Sequence, residues 1–553
     1  MLEANHTKAR RQALARLASD EFDVLVIGGG ITGLGVALDA ATRGLKTALV
    51  ERRDFSSGTS SKSSKLIHGG VRYLQQGEIG LVYEALRERQ RLRQNAPHLV
   101  QVLPFMIPIL KRDGVVSRKI ARALGTALWM YDLTGGWRIG RFHRRLKADN
   151  AFAHLPTMDR KRLDSAYLYF DAMADDSRIC VALARTAIDN GAAIVNHTRV
   201  EKILHDADNK ACGARVKPFD ADAFEIRAKI VVNATGVWSD EVMTTDMGKN
   251  PDSIRPAKGV HLTVPWKLVR NDIAIVIPVP GDKRSLFLIP WISNQDGTFQ
   301  YTYIGTTDTD YTGPIDDPQC SSADIDYVLR ALNAAVTTKV TRDDVTAVWS
   351  GLRPLVKSVS GEKLSARTAD LSRRHKVTTS DSGVISIAGG KLTTYRKMAE
   401  DTVDLATQRL GSSARCKTKR HQLIGAGGNN SSRAPESTRS ASHLRSRFGN
   451  ETERIEALIE ADPSLAQPLI AGLPYLRAEA IFAVQNEMAL TLDDVLSRRT
   501  RARIINRRAS VAAAQQVAEV MAAHLGWDRA EIERQVREFC ESCAAEDQAA
   551  LST

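Results

Sequence analysis

Cysteine is scarce and irregularly spaced: Cys180, Cys212, Cys320, Cys416, Cys540 and Cys543 are the six in 553 residues. That excludes a disulfide framework and points to a reducing compartment. Cys540 and Cys543 form a lone CxxC in a charged helical segment, which without a second pair reads as incidental thiols, so no metal is expected. No run reaches the roughly 18 apolar residues of a membrane-spanning helix. Residues 1–20 lack the apolar core of a secretory signal and are expected to form a basic lead segment, with a short helix over residues 8–18 packed on the body. Aromatic residues are few (6%) and are not interleaved with the basic ones, so there is no nucleic-acid footprint. No internal repeat is evident.

What is plentiful is positive charge. Lys and Arg number 77 against 64 Asp and Glu, a net +13, in scattered runs such as Arg144-Arg145, Arg373-Arg374-His375 and Arg498-Arg499. Such a balance suits an acidic substrate or an anionic membrane surface; a merely solvated basic surface explains it equally well.

The chemistry-bearing run is Val24-Leu25-Val26-Ile27-Gly28-Gly29-Gly30-Ile31-Thr32-Gly33, followed by the apolar Thr47 to Val50 and then Glu51. It reads as strand, tight turn, helix and strand. Gly28 permits the turn, Gly30 lets backbone approach a pyrophosphate, and Gly33 lets helix pack on strand. The helix N-terminus offers free N–H groups to phosphate. Glu51 is placed to accept from both hydroxyls of an adenosine ribose and would repel a 2′-phosphate. FAD and NAD fit; NADP does not.

Length predicts two or three domains. A βαβ unit over residues 21–54 leads to a Ser/Thr/Gly-rich loop and a helix over 79–95. Pro-broken apolar segments over 100–170 leave the nucleotide unit for a cap, which resumes near 250–370 with an antiparallel sheet. A helix follows Asp175-Asp176, a strand spans 193–195, and strands near 229–232 and 384–388 return the chain to the nucleotide sheet. The nucleotide domain therefore covers 21–410, interleaved with the cap. Residues 425–440 read as a linker, and 441–553 as an all-α domain with helices near 455–460, 478–488, 492–506 and 511–525.

Five stretches carry a resemblance: Ile27 to Gly33; Ser60-Ser61-Lys62-Ser63-Ser64-Lys65-Leu66-Ile67-His68-Gly69-Gly70-Val71-Arg72-Tyr73-Leu74; Ile304 to Asp308; Ser350-Gly351-Leu352-Arg353-Pro354-Leu355; and Gly389-Gly390-Lys391-Leu392-Thr393-Thr394-Tyr395-Arg396. In this order the chain resembles the FAD-dependent, quinone-linked glycerol-3-phosphate dehydrogenases; Glu487 to Leu496 resembles their helical domain. The resemblance implies an α/β FAD-binding Rossmann-like domain of the glutathione-reductase and D-amino-acid-oxidase kind, an interleaved α+β cap and a C-terminal all-α domain. It implies noncovalent FAD, sn-glycerol 3-phosphate as substrate, a quinone acceptor and peripheral attachment at the cytoplasmic face of a membrane, and it leaves a homodimer open.

By the same resemblance Arg353 and Arg367 hold the phosphate with Lys391 nearby. Arg72 and Tyr73 orient the glycerol end, and His261 accepts the proton, with Lys391 as the alternative base. Cofactor contacts are expected from Gly28, Gly30, Thr32, Gly33 and Glu51; from Thr59, Ser60, Ser61, Ser64, Lys65, Leu66, His68, Gly69 and Gly70; and from Ala234, Gly236, Gly390, Lys391, Leu392 and Thr393. A glycerophosphate oxidase using oxygen is the nearest alternative. An amino-acid or 2-hydroxyacid oxidase is further off because its substrate carries a carboxylate.

Overall fold

Val24 to Ile27 are apolar on both faces, the pattern of a strand covered from both sides. In the computed structural model, which describes residues 5–71, 78–116, 121–282, 284–357, 374–427 and 439–551, this strand, Glu21–Ile27, lies inside an eight-stranded sheet. It pairs in parallel with Phe224–Asn233 on one side and Thr47–Val50 on the other. Ala193–Val195 and Ile385–Gly389 extend the parallel order outward. Val24 and Val26 face a core shared with helices Ile31–Thr42, Asp176–Asp189 and Tyr395–Arg409. Leu25 and Ile27 face the opposite core, which Leu17 of the first helix, Asn5–Ser19, helps close.

The second sheet has ten strands. Near one edge of it Ile254–Pro265 pairs antiparallel with Phe299–Gly305 and with Ala347–Val356, and the register sets His261 opposite both Gly305 and Trp349. The region over 100–170 is not broken by its prolines. Val100–Leu110 and Leu163–Ala174 run antiparallel along their lengths with Pro104 and Pro108 inside the strand. The next strand, Ala274–Pro278, meets it only at Phe105 and Met106, so the prolines withhold no donor needed there.

The C-terminal segment is helical: Arg439–Phe448, Thr452–Ala461, Arg477–Asn486, Arg507–Leu525 and Arg529–Leu551. The helix expected over 492–506 is instead a π-helical turn, Asp494–Arg499, then Arg501 with φ of 68°, then a short helix Ala502–Ile505. A regular helix turns about 100° per residue and would fan the arginines around its circumference. The irregular backbone sends Arg498, Arg499 and Arg501 toward the nucleotide domain, while Arg503 stays within the helical one, on Asp493 and Glu546. Arg499 donates to both oxygens of Asp54 at 2.6 and 2.8 Å, Arg498 to Asp54 at 2.5 Å, and Arg501 to Asp176 at 3.0 Å. Arg498-Arg499 is thus a buried pair and not a solvated run.

Most of the linker over 425–440 lies outside the described residues. Cys540 and Cys543 are unbridged, and burial pushes the Cys543 thiol up to about 12.

Asp54→Ala should destabilise the protein by about 3 kcal/mol, because two buried guanidinium groups lose their shared anion. Chemical denaturation checks this, and a loss below about 1 kcal/mol, the scale of an exposed pair, would contradict it.

Candidate active site

Where the first two parallel strands meet the Gly-rich turn, side chains have been removed by necessity. Gly28 has φ of 112°, and a Cβ there would lie 2.8 Å from the Ala234 carbonyl oxygen; one on Gly33 would lie 2.0 Å from the Gly28 oxygen. The helix N-terminus at Ile31 donates its N–H to Ser60 Oγ at 2.9 Å. Glu51 is anchored by backbone N–H groups, from Gly29 at 2.6 Å and Arg53 at 2.9 Å. Each carboxylate oxygen keeps further lone-pair capacity for a hydroxyl. Burial raises the Glu51 pKa, opposed by those two N–H donors and by Arg52.

These groups line a cleft of about 360 Å³ together with Gly30, Thr32, Thr59, Ala234, Gly236, Gly390, Lys391 and Leu392. A Cβ-free cradle, a helix N-terminus and an acid ending the second strand fit a dinucleotide. The rim includes Val200 and Trp238, which the motif does not reveal. Arg52 lies over the Trp238 ring at 4.5 Å.

A second cavity of about 220 Å³ adjoins the first, sharing Ile31, Thr59, Ser60, Gly390, Lys391 and Leu392. Its wall holds Ser64, Leu66, His68, His261, Arg353 and Thr393. The ring of His261 lies parallel to Trp349, with centroids 4.7 Å apart and 7° between planes. It fits because residue 305 is glycine: a Cβ there would be 2.2 Å from His261 Cδ2. His261 Nε2 is 2.8 Å from Ser64 Oγ. Burial, then the charges of Lys65 and Arg353, holds its pKa well below the usual histidine value. The near-neutral base expected from residue type is therefore not what this arrangement provides by itself.

Arg353 is oriented by Asp308 at 3.1 Å, by the Thr307 carbonyl at 3.1 Å and by Thr306 Oγ1 at 3.3 Å. Gly259 leaves room for it, since a Cβ there would meet Arg353 Nη2 at 2.7 Å. Lys391 follows Gly389 and Gly390, whose φ values of 78° and 74° turn the chain sharply into the short helical turn Leu392–Thr394. Thr393 Oγ1 accepts from the His68 N–H at 3.1 Å.

Several expected residues do other work. Lys65 turns its Nζ toward Asp176, 3.3 Å away, and burial with Arg501 nearby lowers its pKa to about 8. Gly33 serves close packing, and the Ser61 carbonyl accepts from Arg501. Gly69 donates its N–H to Tyr131 Oη at 3.0 Å, and Gly70 turns with φ of 80°. Arg72, Tyr73 and Arg367 lie outside the described residues. Among the described residues, the cluster Asp54, His197 and Asp494 brings three possible metal-binding atoms together, yet Arg498 and Arg499 already occupy its carboxylates.

The cradle and the pocket beside it, on a chain of this fold, are those of a flavin-dependent oxidoreductase. Residues 23–396 match the family model described as FAD dependent oxidoreductase, and residues 416–532 match the C-terminal domain of alpha-glycerophosphate oxidase. Over 552 residues the chain is 40% identical to glycerol-3-phosphate dehydrogenase 2 of Mycobacterium tuberculosis, covering 97% of this chain and 90% of that one. It is 38% identical to the mitochondrial glycerol-3-phosphate dehydrogenase of Mesocricetus auratus, covering 93% and 72%. The solved glycerol-3-phosphate dehydrogenase of Bacillus halodurans, complexed with FAD, aligns with a TM-score of 0.76 at 31% identity over 98% of both chains. The chain belongs to the FAD-dependent glycerol-3-phosphate dehydrogenase family, and FAD is its cofactor.

Glu51→Ala should raise the FAD dissociation constant by about tenfold or more, the effect of losing one charge-assisted hydrogen bond. Flavin titration of the deflavinated protein checks this, and an unchanged constant would remove Glu51 from the cofactor contact.

Proposed function

We propose that the enzyme oxidises sn-glycerol 3-phosphate to dihydroxyacetone phosphate and passes the electrons to a membrane quinone. The observation that carries this reading is the meeting of Arg353, Lys391 and His261 on one small cavity continuous with the dinucleotide cleft. FAD, when bound, supplies the hydride acceptor.

The protein's own groups divide the rest. The guanidinium fork of Arg353, held by Asp308, pairs with phosphate oxygens, and Lys391 adds positive charge; Arg367 is assigned as a second phosphate ligand. Arg72 and Tyr73 orient the glycerol end. As the C2–H bond breaks and C2=O forms, the hydroxyl proton goes to His261, with Ser64 Oγ hydrogen-bonded to its Nε2. Burial and the charges of Lys65 and Arg353 oppose protonation of His261. A bound dianion offsets them, so substrate raises the basicity of the group that must act on it.

The acceptor is argued from charge. A net +13 favours an anionic membrane surface and hence a quinone, placing the enzyme peripherally at the cytoplasmic face. Among the described residues no helix is long and apolar enough to cross a membrane. The match of residues 416–532 to an oxidase's C-terminal domain favours a second reading, in which oxygen is the acceptor. Peroxide released in step with substrate consumed, without quinone reduction, would move the enzyme to that class.

Arg353→Ala should keep its FAD and lose on the order of 10²-fold in kcat/KM; unchanged steady-state kinetics would take Arg353 out of the phosphate site. His261→Asn should lower kcat by about 10²-fold or more. In the wild type the neutral base is present above its depressed pKa and lost as pH falls through it. The acid limb of kcat/KM therefore belongs below about pH 6.5, and the limb of kcat, set by the complex, at higher pH. Identical limbs in wild type and His261→Asn would exclude His261 as the base.

A further inference from the structure

Where the loop over residues 56–65 meets the helical domain, a third cavity of about 320 Å³ lies between that domain, the nucleotide domain and the second sheet. It runs along the strand Ala347–Val356, which pairs on one side only. An edge strand turns alternate peptide groups away from its partner. Here Val348 and Leu352 give their carbonyls to Arg507 and Thr59, and Ser350 lies between them on the same edge.

The polar atoms on the cavity wall are out of balance. The carboxylates are already paired: Asp54 with Arg498 and Arg499, Asp494 with Arg498, and Asp493 and Glu546 with Arg503. The donors are not all satisfied. Trp349, Ser350 and Arg503 are 3%, 4% and 8% exposed, and Trp349 Nε1, Ser350 Oγ and Arg503 Nε have no hydrogen-bond partner among the described residues. The acceptors in the same position are Gln319 Oε1 and Glu546 Oε2, and the latter has Arg507 Nη2 at 2.7 Å. Lys62 stands on the same wall with its Nζ 3.7 Å from Asp317, too far for a hydrogen bond, and burial lowers its pKa. Arg53 and Asp317, the exposed members of the lining, give a way in from solvent.

Buried donors without acceptors carry a desolvation penalty. An ammonium, an indole N–H, a hydroxyl and a guanidinium N–H around one space suit a tetrahedral oxyanion, which offers charged acceptors in every direction where a planar carboxylate does not. We propose that this cavity binds a phosphate group, as inorganic phosphate or as a phosphate monoester, between Lys62, Ser350 and Arg503, at a site separate from the one that holds Arg353 and Lys391. Its position ties it to the flavin cleft. The Lys62 backbone packs on Gly351, where a Cβ would lie 2.8 Å from the Lys62 carbonyl oxygen, and the same loop carries Ser60 to the dinucleotide helix and Ser64 to His261. The site does not depend on which substrate the inner cavity takes.

The test begins with tungstate, a tetrahedral dianion, soaked into crystals of the oxidised holoenzyme. The anomalous difference map should place tungsten between Lys62 Nζ, Ser350 Oγ and Arg503 Nε. In solution, calorimetric titration of the oxidised holoenzyme with inorganic phosphate should show a binding event that Lys62→Met weakens about tenfold or more. Ser350→Ala, which removes only an unpartnered hydroxyl, should weaken it about threefold. Both variants should keep the wild-type flavin spectrum, and Arg353→Ala should leave the event in place. Repeating the titration with glycerol 2-phosphate separates the two sources: tighter binding than inorganic phosphate assigns the site to a monoester, weaker binding to the free ion. A cavity without tungsten, or a phosphate affinity that neither Lys62→Met nor Ser350→Ala changes, would overturn the proposal. So would a single phosphate event that Arg353→Ala abolishes, since all binding would then belong to the inner cavity.

Discussion

The loop between residues 56 and 65 faces the cofactor cleft on one side and a set of buried charges on the other. On its front, Ser60 Oγ takes the first N–H of the dinucleotide helix and Ser64 Oγ meets His261. On its back, the Ser61 carbonyl accepts from Arg501, and Lys65 shares Asp176 with that same arginine. Just before the loop, Asp54 neutralises Arg498 and Arg499, and elsewhere Glu487 neutralises Arg178 at 2.7 Å. Unpaired, any of these ions would carry a desolvation penalty of several kcal/mol. The helical domain therefore holds this loop in place through buried ion pairs, although it contributes little to the inner cavity itself.

That same positive density sets the electrostatics of the pocket. Lys65 and Arg353 both oppose charging of His261, and burial opposes it more. In the function proposed for this site, a bound phosphate monoester would offset these cations, so that recognition of the phosphate and activation of the base would be one event instead of two. The stacked Trp349 and the missing Cβ at Gly305 fix the imidazole's plane, which keeps that coupling geometric as well as electrostatic.

The local elements were legible in the sequence because their signals are local. The apolar run before Gly28, the acid at Glu51, the helix over residues 79–95 and the strand near 193–195 follow from periodicity and turn chemistry alone, and each stands in the structure. Relations across the second sheet were not legible. Nothing in the chain announces that His261, Gly305 and Trp349 share a register, since pairing of distant strands leaves no trace in spacing. Trp349 was missed for that reason. The π-helical turn was missed because a helical pattern does not reveal that its arginines must all point one way, and Pro104 and Pro108 misled because their strand has little ladder on their donor side. The three residues Arg72, Tyr73 and Arg367 rest on resemblance alone.

The most direct measurement is the visible absorption spectrum of the purified holoenzyme under anaerobic conditions, before and after addition of sn-glycerol 3-phosphate. Oxidation of this substrate by FAD predicts prompt bleaching of the flavin band with formation of dihydroxyacetone phosphate. A flavin band that persists at saturating substrate would contradict it and leave a flavoprotein whose cationic pocket serves another reductant.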